Sequence, residues 1–315
     1  ITPRLTDGVD VSKARMIEQN QGLSIMGVTP VNKEFVLDAE QRQTIIEADP
    51  DSADVIKPFL IGRDVNHEID QAPTRWIIDF SSMEREEAAK YAGAFRYVQK
   101  HVYPVRKENK REKNMSRWWC FWRPAPDMRA ALKPLKRCVV MSCISKHFIV
   151  AFAPTRVCID HRLYAFALAG WYHQGLLQSR IHETWGIARG ATLEDRFAYT
   201  GSTIFETFPF PLLPKGTYDP RQVPKTPAAQ RVADAAEAFD GRRRELCREQ
   251  RLGLTKIHNL LADGELPDLR ALYENLNDAV TACYGWPDGT WREENETLKR
   301  LLELNHKLAG AETLL

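Results

Sequence analysis

Apolar positions recur at two different spacings along this chain, and the change from one to the other divides it. Two short apolar runs within residues 55–80, VIKPFLIG and RWIIDF, predict strands. In the next stretch, SSMEREEAAKYAGAFRYVQKHV, residues Ala88, Tyr91, Ala92, Phe95 and Val98 recur at helical spacing. This predicts one amphipathic helix, with Ser81 or Ser82 as its N-cap and Glu84 and Glu86 at its positive end. Residues 138–210 alternate β-rich runs (RCVVMS, HFIVAF, RVCID) with a helical stretch, FALAGWYHQGLLQSRIHETWG. The prolines of IFETFPFPLLP exclude a central strand and predict an extended edge or a belt across the surface.

From Thr226 the period is helical throughout. Thr226 caps a long helix, Pro227 takes its first position and Gly253 is its expected stop. LTKIHNLLADG predicts a short helix. Leu269, Leu272, Tyr273, Leu276, Val280 and Cys283 share one face of the next, and Leu298, Leu301, Leu302 and Leu308 share a face of the last. These helices predict a small bundle. The first fifty residues are less regular: QGLSIMGVTP and EFVLDAEQ read as strands or loops, the second leading into a helix from about Asp38. The turn-rich DPDSAD at residues 49–54 is a candidate domain edge. The expected fold class is α+β: a junction segment over residues 1–50, a mixed α/β domain over 51–215 and a helical domain over 216–315.

Composition adds little until charge is located. The 315 residues carry a net charge of only +2. Residues 96–137, however, hold thirteen Lys/Arg against three Asp/Glu, so the remainder of the chain sums to −8. Segregation of this kind is an electrostatic footprint for nucleic acid or another anionic surface. The six cysteines form no CxxC pair and no signal peptide precedes them, which predicts a reduced, cytoplasmic protein. No apolar run reaches the ~18 residues of a membrane span. The chain starts at Ile1 and reads as a piece of a longer one.

Several chemistries have no motif here. There is no GxG for a dinucleotide or S-adenosylmethionine turn, no P-loop, no GxSxG and no HExxH. The pattern therefore points to binding rather than to catalysis, with no cofactor held in this chain. Cys143, His147, Cys158 and His161 offer zinc-compatible groups, but their spacing is not that of a common module, and buried free thiols explain them better. Asp51 with Glu108 and Lys110 loosely echoes a metal-dependent nuclease; solvated loops are the simpler reading.

The segment PVRKENKREKNMSRWWCFWRP carries more information. Lys and Arg there can neutralise phosphates, and tryptophans can stack on bases or pack inside. Strand-like alternation would send Trp119 and Phe121 one way and Trp118, Cys120 and Trp122 the other, with most of these aromatics in the core. Lys146, His147, Arg180, His182, Arg189 and Arg196 are scattered further candidates on loops and helix ends.

The succession VIKPFLIGRDV, RWIIDF, HVYPVRKENKREKNMSRWWCFWRP, SKHFIVAF, LLQSRIHETWG and IFETFPFPLLP resembles the target-recognition region of MmeI-like DNA methyltransferases. LTKIHNLL, LNDAVTACYGW and LKRLLELNHKL resemble the helical segment that follows it. The resemblance runs from about residue 20 to the end of the chain. It implies sequence-specific recognition of double-stranded DNA by one part of a restriction-modification enzyme. The catalytic domain of the same parent chain would bind S-adenosylmethionine and methylate adenine N6. On that reading Lys107, Lys110, Arg111 and Lys113 hold phosphates, and Arg106, Arg117, Arg123, Lys146 and Arg180 supply the base readers. A stand-alone specificity subunit, a Mg-dependent nuclease and a protein-interaction module are the alternatives.

Overall fold

A computed structural model of the protein describes residues 8–109, 115–193 and 196–310. Its centre is the strand Arg137–Ser142, in which Cys138, Val139, Val140 and Met141 are all wholly buried. A strand apolar on both faces must be covered on both. It pairs antiparallel with Val150–Pro154 on one side and Leu163–Phe166 on the other, with Val140 opposite Ala151 and Ala165. Ser24–Met26 adds the outer strand beside Leu163–Phe166. The first fifty residues thus enter the central sheet directly instead of forming a separate junction.

A second sheet runs Val36–Leu37, Trp76–Ile78, Ile56–Leu60 and Cys158–Ile159, the last pair parallel. Cys158–Ile159 continues into Leu163–Phe166, so the two sheets share a chain. A third, small sheet joins Ala191–Leu193, Arg196–Ala198 and Ile144–Ser145.

Helix Ala39–Ala48 begins at Asp38 as expected, through a reciprocal capping box with Gln41. The amphipathic stretch after residue 81 is not one helix. It breaks into Arg85–Ala88 and Ala92–His101, and a further helix, Tyr103–Glu108, follows it. Ser81 adopts a positive φ and donates its N–H to Asp79, so neither serine caps a long helix. The cap for Ala92–His101 comes from the turn predicted as a domain edge. Asp49 Oδ2 accepts from Gly93 N at 2.7 Å, and Ser52 Oγ accepts from Ala94 N at 2.9 Å. The Gly93 amide and the Ser52 hydroxyl hold the Asp49 carboxyl below its ordinary pKa.

The IFETFPFPLLP segment is a belt. After the helical turn Gly201–Phe205 it runs without strand pairing and buries Phe205, Phe208 and Phe210. Polar side chains fasten it from outside: Asn20 Nδ2 donates to the carbonyls of Phe205 and Phe208, and Tyr284 Oη donates to that of Pro209.

The C-terminal helices Pro227–Gln250, Leu254–Ala262, Pro267–Cys283 and Glu294–Leu308 follow the predicted pattern, with Thr226 Oγ1 capping Ala229 N. They are not a separate body. Helix Trp171–Gln178, buried from Tyr172 to Gln178, lies between the sheet and Pro227–Gln250. Arg243, fully buried, reaches across to Gln178 Oε1 at 2.8 Å and to the Val150 carbonyl. Asn305 on the last helix pairs with both the amide and the carbonyl of Arg15 and donates to the Thr207 carbonyl.

Gly253 has a different task from the one its position suggested. The long helix ends at Arg251, in a left-handed conformation (φ 55°). A Cβ on Gly253 would lie 2.4 Å from the backbone of His67, so only glycine allows this approach.

Candidate nucleic-acid interface

Two turns and a short helix converge where the strand Arg137–Ser142 leaves the sheet. The turn after it carries Cys143 to His147. The turn at Asp160 to Arg162 is hooked to it by Cys143 N donating to the Arg162 carbonyl at 2.8 Å. Helix Gly62–His67 closes the other side, with Asn66 Nδ2 donating to Ser142 Oγ at 2.9 Å. Between them lies a cleft of about 700 Å³, lined among others by Arg63, His67, Ile144 and Arg162.

The walls are fixed from beneath. Asp160 Oδ1 accepts from Arg162 N at 2.9 Å, and Oδ2 faces His161 Nδ1 at 3.1 Å. The backbone of Val28 brackets this turn: its N–H donates to the Ile159 carbonyl and its carbonyl accepts from His161 N. Gly27 makes the crossing possible, because a Cβ there would fall 2.1 Å from the Ile159 oxygen. On the opposite wall Asp64 is fully buried, takes the Ile61 N–H and pairs with Arg75 at 2.9 Å. Burial pushes its carboxyl above the ordinary value despite those partners.

The rim is positive. The Arg63 side chain is 72% exposed, with Glu68 no nearer than 3.8 Å, and Arg162 is exposed. Lys146 is exposed on the first turn, and Ile144 presents an apolar side chain, 45% exposed, among the cations. Arg123 is exposed, and its backbone pairs both ways with Thr29, the neighbour of Val28. Cations for phosphates, guanidinium groups for base edges and an aliphatic group for a thymine methyl are the materials of major-groove recognition.

Residues 8–212 match the family model described as MmeI, target recognition domain. The chain belongs to that family. Its fold also resembles a solved structure of the type IIL restriction-modification enzyme MmeI in complex with DNA, with a TM-score of 0.72 at 21% identity. That likeness covers 98% of this chain, and so includes the helical tail beyond residue 212, but only 39% of the MmeI chain. No curated protein matches the sequence.

Within this MmeI-type recognition domain the residues singled out from sequence are scattered in role. Arg106 is a correction: it is not at the surface but 1% exposed. Its guanidinium donates to the carbonyls of Trp118, Cys120 and Pro30 and to Asn32 Oδ1, and lies 5.0 Å over the Phe35 ring. The aromatic segment is a series of turns rather than a strand. Trp119, Cys120 and Phe121 are all buried, so their burial does not alternate, and Trp122 alone of the four aromatics is exposed. Arg117 is taken up by Glu84 and the Ser82 carbonyl. Arg180 pairs with Glu183 at 2.9 Å, and its N–H donates to Asn277 on a C-terminal helix. Lys107 is exposed at the end of Tyr103–Glu108. Lys110, Arg111 and Lys113 lie outside the described residues.

Among the described residues, none of the DNA-binding candidates from the sequence lines the cleft, though Lys146 follows two residues after Ile144. Its arginines, Arg63 and Arg162, are ones that sequence reasoning missed. They sit singly in RDVNHE and DHRLY, about a hundred positions apart, and only the sheet brings them together.

Among the described residues no group of three or more His, Cys, Asp or Glu side chains could hold a metal ion. Cys143 donates weakly to the His161 carbonyl, and burial pushes its thiol up to about 12. Asp51 and Glu108 are exposed on separate elements, and Lys110 is outside the described residues. No helix among the described residues is long and apolar enough to cross a membrane.

Proposed function

We propose that this chain selects the double-stranded DNA site for a restriction-modification enzyme. The methylating domain, elsewhere on the parent chain, binds S-adenosylmethionine and acts on adenine N6. The observation that carries the reading is the cleft of Arg63, Ile144 and Arg162, with Lys146 exposed two residues beyond Ile144, at the loop end of a sheet in a member of a target-recognition family. The catalytic domain would press the duplex from the other side and flip the adenine out of the stack. Six free cysteines, four of them buried, suit work in a reducing cytoplasm.

The two cleft arginines divide the labour. Arg63 projects from a short helix with little to hold it, and is assigned a phosphate. Arg162 stands on a turn fixed by Asp160, and is assigned a base edge. Arg63→Gln is expected to weaken binding to all sequences alike and to reduce the slope of log K against log salt by about 0.9. Arg162→Gln is expected to relax selection at one base pair by about 1–3 kcal/mol. Both follow from binding measured over a salt series and from sequencing what the chain retains out of a randomised duplex pool. Retention without an enriched motif would contradict sequence recognition by this chain, and unchanged behaviour of both variants would contradict the cleft.

A further inference from the structure

The amide of Asn259 lies on the C-terminal helix Leu254–Ala262, beyond the residues that match the family model, yet it touches the turn that runs on from the cleft residue Ile144. Its Oδ1 stands 2.9 Å from Lys146 Nζ and 2.7 Å from His147 Nε2. An ammonium can only donate, so the oxygen must face it, and the same oxygen must then accept from His147. His147 is therefore held with its proton on Nε2. One side-chain oxygen thus fixes two consecutive residues of the turn between Ile144–Ser145 and Val150–Pro154, of which Lys146 is exposed.

The contact is not isolated. Helix Leu254–Ala262 packs against Gly62–His67, the opposite wall of the cleft. Gly253, just before it, rests on the His67 backbone where no side chain fits. Arg248 pairs with Asp70, and Arg244 Nε donates to Gln71, just beyond that wall. The tail therefore holds one wall of the cleft through backbone packing, and through a single amide the turn that follows Ile144 on the other.

We propose that Asn259 is a positioning residue for sequence selection, holding the Lys146–His147 turn at the register in which it meets DNA. The inference rests on the DNA-recognition reading and extends it to the helical tail. A lysine free to swing finds any nearby phosphate; one held by an amide on a fixed helix approaches the duplex from one direction, and so favours particular base pairs.

The test compares the chain with Asn259→Ala and Asn259→Asp, by selection from a randomised duplex pool and by hydrogen exchange of the backbone around residues 145–148. Asn259→Ala is expected to raise exchange in that turn and to reduce discrimination at the base pairs beneath it roughly tenfold. Its melting temperature and its binding to mixed-sequence DNA should stay close to those of the parent. Asn259→Asp keeps the accepting oxygen, and should keep the sequence profile with weaker overall affinity. A profile unchanged in Asn259→Ala would overturn the proposal, whether or not exchange rises. If the parent chain itself enriches no motif, the DNA-recognition reading fails and the proposal with it. Faster exchange in Asn259→Ala would then leave only the contact standing.

Discussion

Replacing Arg243 with alanine is expected to lower stability by about 3–5 kcal/mol, the usual cost of stranding one half of a buried ion pair. Arg243 is fully buried in the helix Pro227–Gln250. Its Nε donates to Asp240 Oδ1 at 2.9 Å, its Nη1 to Gln178 Oε1, and its Nη2 to both Asp240 and the Val150 carbonyl. Gln178 Oε1 also takes the Val150 N–H, and its Nε2 donates to the Phe148 carbonyl. One guanidinium thus closes a network that ties the helical tail to the strand Val150–Pro154. Alanine leaves the Asp240 carboxylate, 4% exposed, with only Arg244 at 3.8 Å. Chemical denaturation followed by circular dichroism measures the loss. Adding Asp240→Leu to Arg243→Met removes both charges, and should recover much of it. A loss under about 1 kcal/mol for alanine would mean that the buried carboxylate finds water or another partner.

Arg106→Ala is expected to cost about 3 kcal/mol or more, because it leaves several buried acceptors without a donor at once. The carbonyls of Trp118, Cys120 and Pro30 and the amide oxygen of Asn32 all face this one side chain. They belong to two segments, 30–32 and 118–120, that have no regular structure of their own to satisfy them. Lysine should rescue little, since a single ammonium cannot spread its donors around the plane as a guanidinium does. The melting temperature and hydrogen exchange around residues 118–120 report the effect. A variant that kept its stability and lost only DNA affinity would restore Arg106 to the surface role its sequence neighbourhood suggested.

That contrast marks where sequence reading reaches its limit. Amphipathic spacing was legible in the tail, where Leu269, Leu276, Val280, Leu298 and Leu301 are buried. The strands around RCVVMS were legible for the same reason: burial selects side chains one at a time. The belt at IFETFPFPLLP was legible because proline cannot join a sheet interior. What failed were features set by partners far along the chain. Nothing near Tyr91 announces that Asp49 and Ser52 will start a new helix at Ala92. A basic run looks the same whether its arginine meets phosphates or four internal acceptors. Arg63 and Arg162 carried no signal because each is a single charge, and the cleft exists only after strands from three parts of the chain have paired.

The grip of Asn305 on Arg15 has a consequence for how the protein is made. The two residues are separated by 290 positions, and each satisfies groups of the other. At a synthesis rate of about 5–20 residues per second, the amide and carbonyl of Arg15 wait roughly 15–60 s for their partner to leave the ribosome. The outermost strand, Ser24–Met26, likewise pairs with Leu163–Phe166, more than a hundred residues later. The nascent chain therefore carries an unfinished edge until those distant partners have been made, a state open to chaperones.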